Sequence, residues 1–442
     1  MSLTWRTPAL LLAGVVLVVL RPAGSTVWVW LALVVLLVGV DLVLAPSPRR
    51  LELRRLATPA TRQGEATTTD LEVTNPGRRR VRGVLRDAWV PSAGAVGERH
   101  RLDVPAGGSR LLTTTLLPTR RGDRPTDRVT LRLPGPLGLA ARQASLTAPG
   151  SLRVLPAFPS RRLLPSRLER LRELDGRSLV LTRGQGTEFD SLREYVRGDD
   201  VRSIDWRASA RSRDVVVRTW RPERDRRVVV VVDTGRTSAG RVASGTAPAT
   251  EGSEDAVPRL DAALDAALLL ATLASRAGDR VDLVAGDRTV RAQVAGGAGR
   301  EVLPRVQDAL ARVEPALVET SWNRLAAAVT ALGRHRALVV LLTPLEPSAI
   351  EEGLLPTLAT LTTRHRVVLA SVRDPALERL ARQRDDVRDV YQAAAAEQAL
   401  ARRAATADLL GALGVDVLDL DTDRLAAGLA DHYLALKAAG RL

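Results

Sequence analysis

The stretch Gly184–Arg211, GQGTEFDSLREYVRGDDVRSIDWRASAR, concentrates the side chains of this chain that could do chemistry. Asp199, Asp200 and Asp205 alternate at close range with Arg193, Arg197, Arg202 and Arg207. Paired carboxylates can serve as general acid and base. Hydrolysis would also need a nucleophile–base pair or a set of oxyanion donors, and nothing in the stretch supplies either. The reading is therefore a non-enzymatic protein with no catalytic residues, and no small-molecule substrate is identified. Tyr and Phe number only three and two in the whole chain, yet Phe189 and Tyr195 both fall here, with Trp206 close behind. Scarce rings among paired charges suggest a segment built to hold one shape. Leu192, Tyr195 and Val196 are expected to bury one face of a helical turn, and Ile204 and Trp206, two apart, to share one face of an extended segment. This favours a structural brace over a direct partner contact.

Composition narrows the chemistry further. The chain has no cysteine, which excludes disulfides, thiolate zinc sites and a cysteine nucleophile. His100, His335, His365 and His432 show no metal-ligand spacing. The formal charge of +15 invites a nucleic-acid reading, but the 65 basic residues are dispersed among acids and only Lys437 is a lysine. No basic stripe with interleaved aromatics is present, so nucleic acid is not an expected partner.

Several elements must position the stretch. Residues 1–46 hold two apolar runs, at about 8–20 and 27–44, joined by Arg21-Pro22-Ala23-Gly24-Ser25. They predict a transmembrane helical hairpin with Trp28 and Trp30 at an interface and Asp41 reaching toward headgroups. Arg49, Arg50, Arg54 and Arg55 against a lone Arg21 predict a two-pass cell-membrane protein, its bulk cytoplasmic and the lipid bilayer its partner. Short alternating runs across 51–156 predict a small β-sandwich. A connector spans 157–225. From 226 to 442, apolar runs at Val228–Val232, Val281–Ala285, Ala337–Leu342, Val367–Val372 and Val415–Leu420 alternate with helical stretches. The fold class read from this is α/β, a Rossmann-like parallel sheet with helices on both faces. The Gly/Ser/Thr/Ala stretch Ser238–Ala256 reads as a flexible loop after the first strand.

The signature residues Gly186, Glu188, Phe189, Leu192, Arg193, Tyr195, Gly198, Asp199, Asp200, Arg202, Ile204, Asp205, Trp206, Ala210 and Arg211 precede a Val-rich strand ending in Asp233. In this pattern the chain resembles the bacterial domain of unknown function 58 family. The resemblance implies a domain similar to von Willebrand factor type A (VWA) and an adaptor role beside a MoxR-type AAA+ ATPase in envelope-related protein assembly or maturation. It also implies where a metal would sit. VWA domains commonly hold Mg²⁺ through D-x-S-x-S after the first strand, with a Thr and an Asp from other loops. Here the loop is Asp233-Thr234-Gly235-Arg236-Thr237, with Thr320 and Thr343 as the remaining candidates. Gly235 removes one hydroxyl, and Thr343 is followed by Pro344 rather than Asp. The expectation is no resident cofactor, or a weak, water-rich Mg²⁺ site serving a protein-binding receptor.

Overall fold

The computed structural model describes residues 2–181, 188–196, 200–212, 214–221, 226–243, 256–297, 299–333 and 335–442. The chain forms two compact units, Met1–Leu155 and Pro156–Leu442.

In the first unit a six-stranded and a four-stranded sheet pack around two apolar clusters. In the larger cluster Leu71, Val73 and Leu112 from the smaller sheet meet Leu85, Leu102, Val129 and Leu131 from the larger. The alternation of buried and exposed residues along Thr67–Thr74 and Ser109–Leu116 is what a strand with one wet face requires. The long strands Gly122–Pro134 and Ala140–Leu155 form an antiparallel hairpin. Below them Arg55 and Asp87 are buried as an ion pair at 2.5 Å, with Trp89 stacked under the guanidinium. Arg55 is therefore spent inside the unit and is unavailable to lipid headgroups.

The same unit also contains the helices Arg6–Leu20 and Gly24–Leu44. Among the described residues only the second, counted from Gly24, is long and apolar enough to cross a membrane. Its 21 residues span about 32 Å, whereas the 15 residues of the first reach about 22 Å, short of a hydrocarbon core of about 30 Å. The expected transmembrane hairpin is thus overturned: among the described residues one helix, not two, is long and apolar enough to span.

Asp41 departs from expectation too. It is fully buried, and its carboxylate accepts the backbone N–H groups of Leu137 and Leu139 at 2.7 Å and of Ala140 at 2.8 Å. The acid does not reach toward headgroups; it clamps the last turn of the apolar helix onto the tip of the long hairpin.

The second unit is built on a six-stranded sheet of β1 (Arg227–Asp233), β2 (Arg280–Gly286), β3 (Val290–Gly297), β4 (Leu338–Leu342), β5 (Arg366–Arg373) and β6 (Val415–Asp421), in the order β3-β2-β1-β4-β5-β6. Val228, Val230 and Val232 face a core with the helices Arg259–Arg276 and Thr422–Ala438, while Val229 and Val231 face Trp322–Ala331 and Leu355–Thr362. An unbroken valine run is thus explained by burial on both sides.

The expected parallel, VWA-like sheet is corrected as well. β3 runs antiparallel to β2, and with the antiparallel sheets elsewhere the chain is a mixed α/β protein with a β-rich N-terminal region. The reason is length. Only Asp287-Arg288-Thr289 separate β2 from β3, and a parallel return needs about a dozen residues or more. Asp287 closes the turn by accepting the N–H of Thr289.

Candidate functional site

β1 ends at Asp233, on the carboxyl edge of the sheet, and the chain turns at once into the short 3₁₀ segment Arg236–Ala239. Three threonines converge on that carboxylate. Thr237 donates to Oδ2 at 3.2 Å, Thr343, just past β4, to Oδ2 at 2.7 Å, and Thr320, before the helix Trp322–Ala331, to Oδ1 at 2.5 Å. The Gly235 N–H adds a further bond to Oδ1 at 2.8 Å. Asp233 and Thr343 are buried. Burial pushes the Asp233 carboxyl above the ordinary carboxylate range, and the donors Thr320, Gly235, Thr343 and Thr237 pull it back. The four residues considered as metal ligands are therefore brought together around one carboxylate.

Those residues fit a divalent cation poorly. A hard dication prefers several carboxylate or carbonyl oxygens in near-octahedral array. Here one carboxylate faces three neutral hydroxyls, all of which direct their protons at it. Among the described residues no group of three or more His, Cys, Asp or Glu could hold a metal ion. Glu346, the nearest acid after Thr343 in sequence, turns instead to Arg259 at 2.8 Å and Arg403 at 3.5 Å. What the cluster can do is hold three loops at the carboxyl edge of the sheet in fixed relation.

The same geometry explains Gly235. A Cβ built there would overlap Thr320 Oγ1. The glycine thus makes room for the threonine that completes the clasp. Gly235→Ser, which restores the hydroxyl of the metal motif, should destabilise the unit by about 2 kcal/mol by overpacking rather than create a cation site. Adding Thr320→Ala should recover part of the loss, read as hydrogen exchange in β1 with and without Mg²⁺.

Sequence reading missed Asp287. Its buried carboxylate accepts from Thr234 at 3.1 Å and pairs with Arg291 at 2.9 Å, extending the clasp to the β2–β3 turn. The available signal was an Asp two residues before a Thr at a strand end, the pattern of an Asx turn.

The signature lies in the second unit, and the described part forms a small module. The strand Glu188–Glu194, carrying Glu188, Phe189, Leu192 and Arg193, pairs antiparallel with Val216–Arg221. Asp200 accepts from the Arg202 N–H at 3.0 Å and so caps the turn Val201–Ser203. Asp205 accepts from the N–H groups of Arg207 and Ala208, both at 3.0 Å, and caps the helical turn Trp206–Ser209. Its other oxygen takes Arg218 at 2.8 Å. The Ala208 N–H, followed by Arg218, holds the Asp205 carboxyl below its ordinary range. Both acids thus act as caps on backbone N–H groups. Gly186, Gly198 and Asp199 lie outside the described residues.

The apolar members behave differently from the expected brace. Leu192 lies in a strand and Val196 outside any helix, and they are 45 % and 60 % exposed. Val201 and Trp206 are 61 % and 67 % exposed, and Trp206 opens a helical turn while Ile204 bridges Val217. Tyr195 is half-buried, and Ala210 and Arg211 are exposed. Hydrogen bonds fix the backbone here, and Leu192, Val196, Val201 and Trp206 are displayed.

Fold and site together define an α/β domain that carries a hydrogen-bonded clasp at its sheet edge and an exposed, capped signature module. Residues 191–397 match the model of the family described as Protein of unknown function DUF58, in agreement with the resemblance carried by the signature. No curated protein matches the chain. Among solved structures, the PilB minor pilin from Streptococcus sanguinis is similar at 7 % identity and a TM-score of 0.35, covering 81 % of this chain and 88 % of that one. The PapD-like domain 7 of human CEP192 is similar at 20 % identity and a TM-score of 0.19, covering 25 % of this chain and 89 % of that one. Scores this low assign neither fold nor function.

Proposed function

We infer that this protein is a membrane-anchored, non-enzymatic adaptor. The helix Gly24–Leu44 would hold it to the bilayer, with Arg49, Arg50 and Arg54 favouring a cytoplasmic location for the residues that follow it. Its second unit would dock an AAA+ ATPase of the MoxR type through the signature module, in envelope-related assembly or maturation. The resemblance suggests the partner. The observation that carries the reading is the display of Leu192, Val196, Val201 and Trp206 on a backbone held by Asp200 and Asp205. Exposed apolar groups on a rigid, polar-rimmed frame are the usual composition of a docking patch.

The test is affinity capture from solubilised membranes with the full chain, and identification of the recovered proteins. The native chain should recover an AAA+ ATPase, and Trp206→Ser should lower the recovery about thirtyfold, as expected for a central aromatic anchor. Because Trp206 is exposed, that change leaves the caps on Asp200 and Asp205 in place. Failure to recover any ATPase, with or without ATP, would remove the partner. Undiminished recovery by Trp206→Ser would move the contact elsewhere.

A further inference from the structure

We propose that the junction between the apolar helix and the first unit is a seat for anionic phospholipid headgroups, resting on the membrane-anchored reading above. Two kinds of side chain meet there. Leu3, Trp5 and Leu137 are 60 %, 77 % and 45 % exposed. All three lie at one end of the unit, because Ser2–Leu3 pairs with Ala140–Ala141 and Leu137 sits in the tip held by Asp41. Beside them three guanidinium groups hold the end of the helices by backbone carbonyls. Arg6 donates to Leu137 O at 3.3 Å, Arg132 to Leu3 O at 2.8 Å and Arg142 to Leu42 O at 3.0 Å.

Each guanidinium has five N–H donors in a planar fork that matches phosphate, so one carbonyl bond leaves capacity for an anion. Arg6 and Arg132 are exposed and Arg142 half-buried. Asp41, which clamps the junction, is buried and turned onto backbone N–H groups, so it offers lipid no negative face. Close packing keeps the parts in place. A Cβ on Gly138, whose φ is +70°, would lie 2.8 Å from Arg6 Nη1, and one on Gly135 would overlap Asp41 Oδ1. Exposed apolar groups with interleaved arginines, continuous with an apolar helix, complement an anionic interface: the ring and the leucines enter the acyl boundary and the arginines meet phosphates. Zwitterionic lipid would satisfy only the apolar half.

The chain lacks cysteine, so Leu137→Cys gives a single site for an environment-sensitive fluorophore. The labelled full chain is reconstituted into vesicles of phosphatidylcholine alone or mixed with phosphatidylglycerol. The label is then challenged with aqueous iodide and with a spin-labelled lipid. In the mixed vesicles it should be shielded from iodide and quenched by the lipid probe. The lipid-to-aqueous ratio should fall roughly fivefold for each of Arg6→Gln and Arg132→Gln. Adding salt to the chain with all its arginines should lower the ratio in mixed vesicles only, a result that needs no variant to fold, whereas inorganic phosphate at matched ionic strength should not compete further. Equal ratios in both vesicle types, or no response to salt, would overturn the proposal. Flotation of the same samples separates the two readings. Failure to float with lipid would sink the anchoring itself; floating with an iodide-accessible label would sink the seat alone.

Discussion

Asp41→Ala should release the tip of the long hairpin from the apolar helix and expose the amides of Leu137, Leu139 and Ala140 to exchange about a thousandfold faster. The carboxylate accepts all three N–H groups at 2.7–2.8 Å from a fully buried position. Hydrogen bonds to a charged acceptor contribute about 1.5–3 kcal/mol each, and relaxation of the tip recovers part of the sum, leaving a loss of about 4 kcal/mol. At about 1.4 kcal/mol per factor of ten, that is the stated rate change. Asp41→Asn should lose about half as much, since its amide oxygen still accepts while its NH₂ group meets donors. Gly135→Ala should mimic the loss in part by displacing Asp41 Oδ1. Unchanged protection of the three amides in Asp41→Ala would show that the clamp lies elsewhere.

Asp233→Ala should cost the second unit about 3 kcal/mol. It leaves the hydroxyls of Thr237, Thr320 and Thr343 and the N–H of Gly235 without their shared acceptor, in a place that water reaches poorly. Exchange in β1 and β4 should speed up together, because Thr343 ties one strand end to the other. Thr343→Val alone should cost about 1 kcal/mol. Burial raises the Asp233 carboxyl, so its linkage sign is opposite to that of a salt-bridged acid. Between its unfolded value near 3.9 and its higher folded value, the native state binds the proton more tightly, and this group's contribution to stability falls as pH rises. Asp233→Asn should remove that slope. Parallel pH profiles for native protein and Asp233→Asn would refute the assignment.

The valine run of β1 was legible because a strand buried on both faces must be apolar throughout, and that pattern needs no partner to be recognised. The convergence of Thr237, Thr320 and Thr343 was legible only through resemblance. Spacings of 83 and 23 residues between these positions carry no geometric signal until the sheet order sets β1 beside β4. β3 was missed because its burial alternates only weakly at a sheet edge. The membrane hairpin was over-read because the shorter apolar run was counted as a span: its helix starts only at Arg6, with Leu3 in a strand, and is too short. The signature was misjudged for a different reason. Its apolar members were expected to be buried, whereas Asp200 and Asp205 fix the backbone by capping N–H groups and Leu192, Val196, Val201 and Trp206 are exposed.

By itself, then, the amino-acid sequence determined what periodicity and composition control: an apolar helix able to span a bilayer, a β-rich first unit, and an α/β second unit. It also excluded thiol chemistry. Tertiary structure alone decided what depends on distance between remote residues. Asp41 is a membrane-helix acid in sequence and a buried acceptor in space because the hairpin tip, nearly a hundred residues later, brings three N–H groups to it. Gly235 is a lost ligand in sequence and a necessary gap in space because Thr320 fills the volume that a side chain there would occupy.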